Sequence, residues 1–271
     1  MSSIIAPSCV GKLFSSDTDE LREQVRHYLG NVADSDRALP TPRLPKAIIV
    51  PHAGYDYLGP IAAAGYATLA GHTGTYHQVV LVGTCHARQT SGLLATTAGA
   101  FVAPLGTLEV DQDAVRQVSR LPQVSVDNDA HATDHSLAVQ LPMMQATLDE
   151  FRVVPFLVGK CGAVEVAELL ELLWGGNETL IIVSSDLSHY LSYDEARRRD
   201  QRTAEAIVRL DFAAIGCDDA CGHRAIAGLL LAARRHNLQA RQIDLRNSGD
   251  IASDRDRVVG YGAFVFEPAL P

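Results

Sequence analysis

A chain of 271 residues, 47% hydrophobic and 20% charged, can bury a full core, and one α/β domain over 1–271 is expected. Its formal charge of -9 and pI near 5.5 exclude a general nucleic-acid binder, which needs a basic face to displace phosphate counterions. No apolar run reaches the roughly 18 residues that span a bilayer, and the opening MSSIIAPSCVGKLF lacks a secretory signal's charged start; no membrane is expected, and the cytoplasm is the expected location.

Residues 1–45 are the least regular part and predict an arm with one helix over 17–29. From there, short runs rich in β-branched residues alternate with stretches that are apolar at helical spacing. KAIIVP (46–51) predicts a strand, 58–70 a helix, QVVLVG (78–83) a strand, and 111–118 and 134–148 two helices. FRVVPFLVG (151–159) predicts a strand, 163–174 a helix, TLIIVSS (179–185) a strand, and 194–210 and 221–237 two helices. RQIDLRN (241–247) and RVVGYGAFVF (257–266) complete the strands. The alternation predicts an α/β fold, a central mixed sheet covered by helices on both faces, with no repeat or linker that would divide it.

Three strand ends carry chemistry. KAIIVP runs into His52, QVVLVG into His86, and TLIIVSS into Asp186 and His189. Open α/β sheets bind ligands at the carboxyl ends of their strands, so these side chains converge on one edge if the strands are neighbours. Each histidine alone reads equally as a satisfied loop residue; together they suit iron, copper or zinc, and two histidines with a carboxylate suit non-haem Fe(II) and oxygen. Tyr55 lines this pocket or packs half-buried, and Cys221 is either a thiol activated at a helix start or a small packed group. His223 in the same turn faces the pocket or solvent. The five cysteines form no CxxC pair and read as reduced thiols. Ser184, Ser185 and Ser188 lie near His189 without a G-x-S-x-G elbow, which ranks a hydrolase low.

PHAGYDYLGPIAAAGYATL, VGTCHARQTSG, DHSLAVQLP, SSDLSHY, CGHRAI and NSGD…RVVGYGAFVF, in this order over about 47–266, resemble the Memo family, whose bacterial members are often called AmmeMemoRadiSam system protein B. The resemblance implies the fold of class III extradiol dioxygenases, which cleave catechol-type rings with Fe(II) held by two histidines and a glutamate. On that basis His52 and His86 are metal ligands, His189 is an acid/base with Asp186 beside it, and His135 supports the site. The third ligand is implied near the final strand; Asp250 is the nearest ligating residue there, and a turn-forming aspartate is the alternative reading. Ala138 stands where relatives carry a carboxylate. The implied cofactor is Fe(II), with copper or zinc as alternatives; the implied partners are a small aromatic substrate, oxygen, and radical-SAM and AmmeMemo-type proteins. The competing reading is a non-catalytic metal- or peptide-binding protein on a vestigial enzyme fold.

Overall fold

The computed structural model describes residues 3–33 and 43–269. The strands are β1 (Ile4–Ile5), β2 (Ala47–Val50), β3 (Gln78–Thr84), β4 (Leu93–Ala95), β5 (Ala100–Ala103), β6 (Gly106–Glu109), β7 (Val124–Val126), β8 (Arg152–Val158), β9 (Thr179–Ser184), β10 (His189–Leu191), β11 (Leu238–Asn247) and β12 (Val258–Pro268). The α-helices are α1 (Thr18–Ala33), α2 (Tyr55–Ala67), α3 (Gln112–Val118), α4 (Asn128–Thr133), α5 (Leu141–Thr147), α6 (Ala163–Leu172), α7 (Tyr193–Val208) and α8 (His223–Arg235).

The main sheet runs β10-β12-β2-β9-β3-β8-β4-β7, with β11 paired to β12. Its middle, β2-β9-β3-β8, is parallel, and the flanking pairings of β12 with β2 and of β4 with β8 are antiparallel. AIIV in β2 and TLIIVS in β9 are buried at every position, as a parallel sheet covered on both faces requires. Helices α1, α2 and α5 pack together against β2 and β12, while α6 packs on α8, which lies on β3 and β9. The mixed sheet with helices on both faces is therefore as the alternating pattern predicts.

All six predicted strands form, and the short β4 to β7 and β10 join them. These are three or four residues long: β4 pairs with the longer β8 and β10 with β12, β7 pairs with β4, and β5 and β6 pair with each other in a separate small sheet with β1. The helix expected over 134–148 starts later: residues 138–140 form a 3-10 turn and α5 begins at Leu141, where Pro142 cannot donate a backbone hydrogen bond and so suits a first turn. Part of the predicted N-terminal arm, 34–42, lies outside the described residues.

The loop after β9 is tied down from α7. Asp200, buried, accepts a hydrogen bond from the Ser188 backbone N–H at 3.0 Å, and its Oδ2 has no partner among the described residues. Gly260 leaves room for it; a Cβ there would collide with the Asp200 carboxylate. Burial pushes the carboxyl up from 3.8 to about 6, although the Ser188 N–H works the other way. The folded chain thus holds this proton more tightly than the unfolded chain, so the stability contribution is full below pH 3.8 and is lost as pH rises through about 6. Asp200→Asn keeps the acceptor, removes the buried charge and lets its amide donate to the unpartnered Ser188 hydroxyl. It is expected to raise Tm at pH 8 by roughly 5 °C and by roughly half as much at pH 5, measured by calorimetry at both values.

Candidate metal centre

Because β2, β9 and β3 are adjacent and parallel, their carboxyl ends open onto one edge. His52, 1% exposed, follows β2; its backbone N–H donates to Asp186 Oδ1 at 2.7 Å in the loop after β9. Its ring orientation follows from its neighbours. Ser184 Oγ must donate to the Ser136 carbonyl at 2.6 Å, because a carbonyl only accepts. Gln140 Nε2 must be the donor to the Pro51 carbonyl for the same reason, and it also donates to Ser184 Oγ at 2.8 Å. With the Ser184 hydrogen committed, the 3.2 Å contact between Ser184 Oγ and His52 Nδ1 requires Nδ1 to donate. In the neutral ring this leaves the lone pair on Nε2, pointing into the site.

That Nε2 stands 3.2 Å from His86 Nε2. His86 leaves β3 at an exposed position and is anchored by Asp134, whose Oδ2 accepts from the His86 N–H at 2.5 Å and the Ala87 N–H at 3.1 Å. The His135 ring stacks on His86 with centroids 5.0 Å apart and stands edge-on to His52 at 5.3 Å. One ligand atom from each of His52, His86 and His135 lies within 4.8 Å of the other two. Cys221, in the turn entering α8, brings Sγ to 3.3 Å from His52 Nε2.

The charges fit a cation. Burial opposes protonation of His52, but the Cys221 and Asp186 charges outweigh it and raise the imidazole to about 10. Burial likewise opposes the Cys221 thiolate, yet the His52 charge and hydrogen bonds from His52 and His86 draw it down to about 5. Burial and the neighbouring imidazoles push His135 down to about 4, so its ring is neutral at pH 7. The cluster thus favours a thiolate at Cys221, held by the His52 ring, beside a neutral His135 imidazole. A separation of 3.2 Å is also that of two nitrogens each roughly 2.0–2.1 Å from one shared ion. Imidazole and thiolate donors fit iron, copper and zinc alike.

A cleft of about 710 Å³ opens above these groups, lined also by Asp186, His189, Arg199, Tyr190 and Tyr261. The structure therefore brings together His52, His86, His135, Asp186, His189 and Cys221. It does not bring Asp250: this carboxylate accepts from the Tyr193 hydroxyl at 2.5 Å and the Asn247 N–H at 2.9 Å, closing a 3-10 turn beside a different cavity. The groups that face His52 and His86 in its stead are His135 and Cys221. Nor does it bring Tyr55, which points into the core, packs on Phe14 and donates to the Val139 carbonyl at 3.0 Å. His223 turns back on the Ala220 carbonyl at 3.2 Å and does not line the cleft. Sequence reasoning passed over Asp134 and Gln140, and it weighed Ser184 only as a hydrolase nucleophile. Asp134 alone left a signal, the Asx turn of D-H-S in which the Ser136 N–H donates to Asp134 Oδ1 at 2.8 Å.

No helix among the described residues is long and apolar enough to cross a membrane. An uncharacterised protein of Escherichia coli K12 shares the fold alone, with a TM-score of 0.54 at 13% identity over 82% of this chain and all of that one. A "MEMO1 family protein" of Methanopyrus kandleri is 33% identical, covering 96% of this chain and 98% of its own length. Another, from Methanothermobacter thermautotrophicus, is 32% identical over 94% and 97%. The family model described as "Memo-like protein" matches residues 6–265, from the N-terminal arm through the last strand. With relatives of this similarity aligned along nearly their whole length, the chain belongs to the Memo family.

Proposed function

We propose that this protein is a metal-dependent oxidoreductase that uses oxygen on a small chelating aromatic substrate such as a catechol, with Fe(II) as the metal and copper as its alternative. The observation that carries the reading is the pair of Nε2 atoms 3.2 Å apart with the Cys221 sulfur against one of them, in a cleft large enough for a small molecule. His52 and His86 would hold the ion, with Cys221 and His135 completing the donor set. The bound metal would supply open positions for oxygen and substrate and a path for electrons between them.

The remaining work falls to side chains of this chain. Asp186 fixes the His52 backbone through its N–H, and Ser184 holds the ring. His189 lines the same cleft, and its ring has no hydrogen-bond partner among the described residues, which leaves it free to take a proton from a substrate hydroxyl and return it to product. Tyr261 and Val259 form an apolar wall that an aromatic ring can pack on. The radical-SAM and AmmeMemo-type partners belong to the same proposal, on the resemblance alone, and co-purification from the native host tests them.

The test is oxygen uptake by anaerobically Fe(II)-loaded protein with a panel of catechols. Uptake that requires both iron and catechol and falls at least about 100-fold in His189→Ala, with metal content unchanged, is expected. Retained metal without uptake on any catechol would leave a metal-binding module and overturn the enzymatic reading.

A further inference from the structure

A second cleft, of about 940 Å³, meets the metal cleft at His86, which lines both. It lies between the loop after β3 and the end of β8. Arg88, Lys160 and Arg224 line it, and no carboxylate does among the described residues, in a chain whose formal charge is -9. Arg88 is spoken for by Asp127 at 2.9 Å. Lys160 and Arg224 have no acidic partner within salt-bridge distance among the described residues.

Neither cation serves the fold in an evident way. Lys160 follows β8 by two residues, and its backbone is fixed against the loop after β3: its N–H donates to the Thr90 carbonyl at 2.7 Å. The same parallel edge that delivers His52 and His86 thus delivers an exposed ammonium. Arg224 sits in the first turn of α8, three residues after Cys221, and no acidic residue shares that turn. A cation at a helix N-terminus opposes the backbone dipole, so helix stability gives no reason for it. An anion lying between the two would meet both charges, and Gln89 and Ser91, whose side chains can donate hydrogen bonds, line the same space.

We propose that this cleft holds the anionic head group, a carboxylate or a phosphate ester, of the substrate whose remainder reaches past His86 to the metal centre. The orientation rests on the function proposed above; the anion binding does not. The Lys160 and Arg224 charges counter the repulsion that the acidic chain exerts on such a substrate, which makes binding sensitive to ionic strength.

The test is calorimetric titration of metal-free and Fe(II)-loaded protein with 3,4-dihydroxybenzoate, phenyl phosphate and uncharged 4-methylcatechol. At low ionic strength at least one anionic probe is expected to bind about tenfold more tightly than 4-methylcatechol. Salt should erode that preference, Lys160→Ala/Arg224→Ala should abolish it, and Lys160→Arg should keep it; the tighter anion identifies the head group. Lys160 is exposed and Arg224 half-exposed, so the double variant is expected to melt within a few degrees of the parent, and Lys160→Ala alone serves if it does not. Equal affinity for charged and uncharged probes, no binding of either anion, or a preference that survives the double alanine change overturns the proposal. An anion preference in protein that takes up no iron sustains the cleft and sinks the metal reading, and iron uptake without the preference does the reverse.

Discussion

Protein purified without oxygen is expected to carry close to one metal per chain after loading, and His86→Ala to carry less than about a tenth of that under the same conditions. His86 is exposed and contributes little to the core, so its loss should leave circular dichroism and Tm within a few degrees of the parent. His52→Ala should lose metal equally but fold less well, because it opens a buried void and strips Ser184 Oγ of one of its donors. The contrast between the two separates ligation from packing. Metal content that survives both changes, measured by mass spectrometry of the desalted protein, would remove these histidines from any ligand set.

Asp134→Ala is expected to have the largest effect on stability. This 2% exposed carboxylate accepts from the backbone N–H groups of His86, Ala87 and Ser136, and from the Ser136 hydroxyl at 2.7 Å. Alanine would leave three backbone donors unsatisfied around a cavity, at a cost of about 1–3 kcal/mol each, so a total of roughly 4 kcal/mol and a fall in Tm near 10 °C are expected. Since two of those donors hold the His86 loop, metal affinity should fall with stability, by about 10- to 100-fold. Asp134→Asn keeps one acceptor oxygen and should fall between. Denaturant unfolding of the metal-free variants measures the first effect, and competition with a metallochromic chelator the second; a Tm within two degrees of the parent would contradict the role given to Asp134.

The sheet was legible because its central strands are buried on both faces and read as unbroken Val/Ile runs, the pattern that a covered parallel sheet imposes. His52 and His86 were legible for a related reason: a residue directly after such a run lies at the sheet's carboxyl edge whatever the loop does next. Asp250 and Tyr55 were assigned from proximity in sequence, which does not fix the direction of a side chain. One closes a 3-10 turn with Asn247, and the other points inward from the first turn of α2. Cys221 and His135 show the opposite limit. Both belong to turns preceding helices, and only the packing of α8 and α5 carries them to His52; sequence placed them near the chemistry without revealing their contact with it. The hydrogen-bond chain through Gln140, Ser184 and Ser136 left no pattern at all, since it joins segments more than forty residues apart.

The place of β12 in the sheet bears on how the protein is made. Strand β2, which carries His52 at its end, has β9 on one side and β12 on the other, with Ile49 opposite Phe264. On the ribosome the residues around the metal centre, through Cys221, are synthesised well before Val258–Pro268 emerges, and until then one edge of β2 is bare. An uncovered edge of Ala47–Val50 invites pairing with another chain. Closure of the sheet therefore waits on β12, and the histidine cluster at the end of β2 rests on an incomplete sheet until that strand has paired.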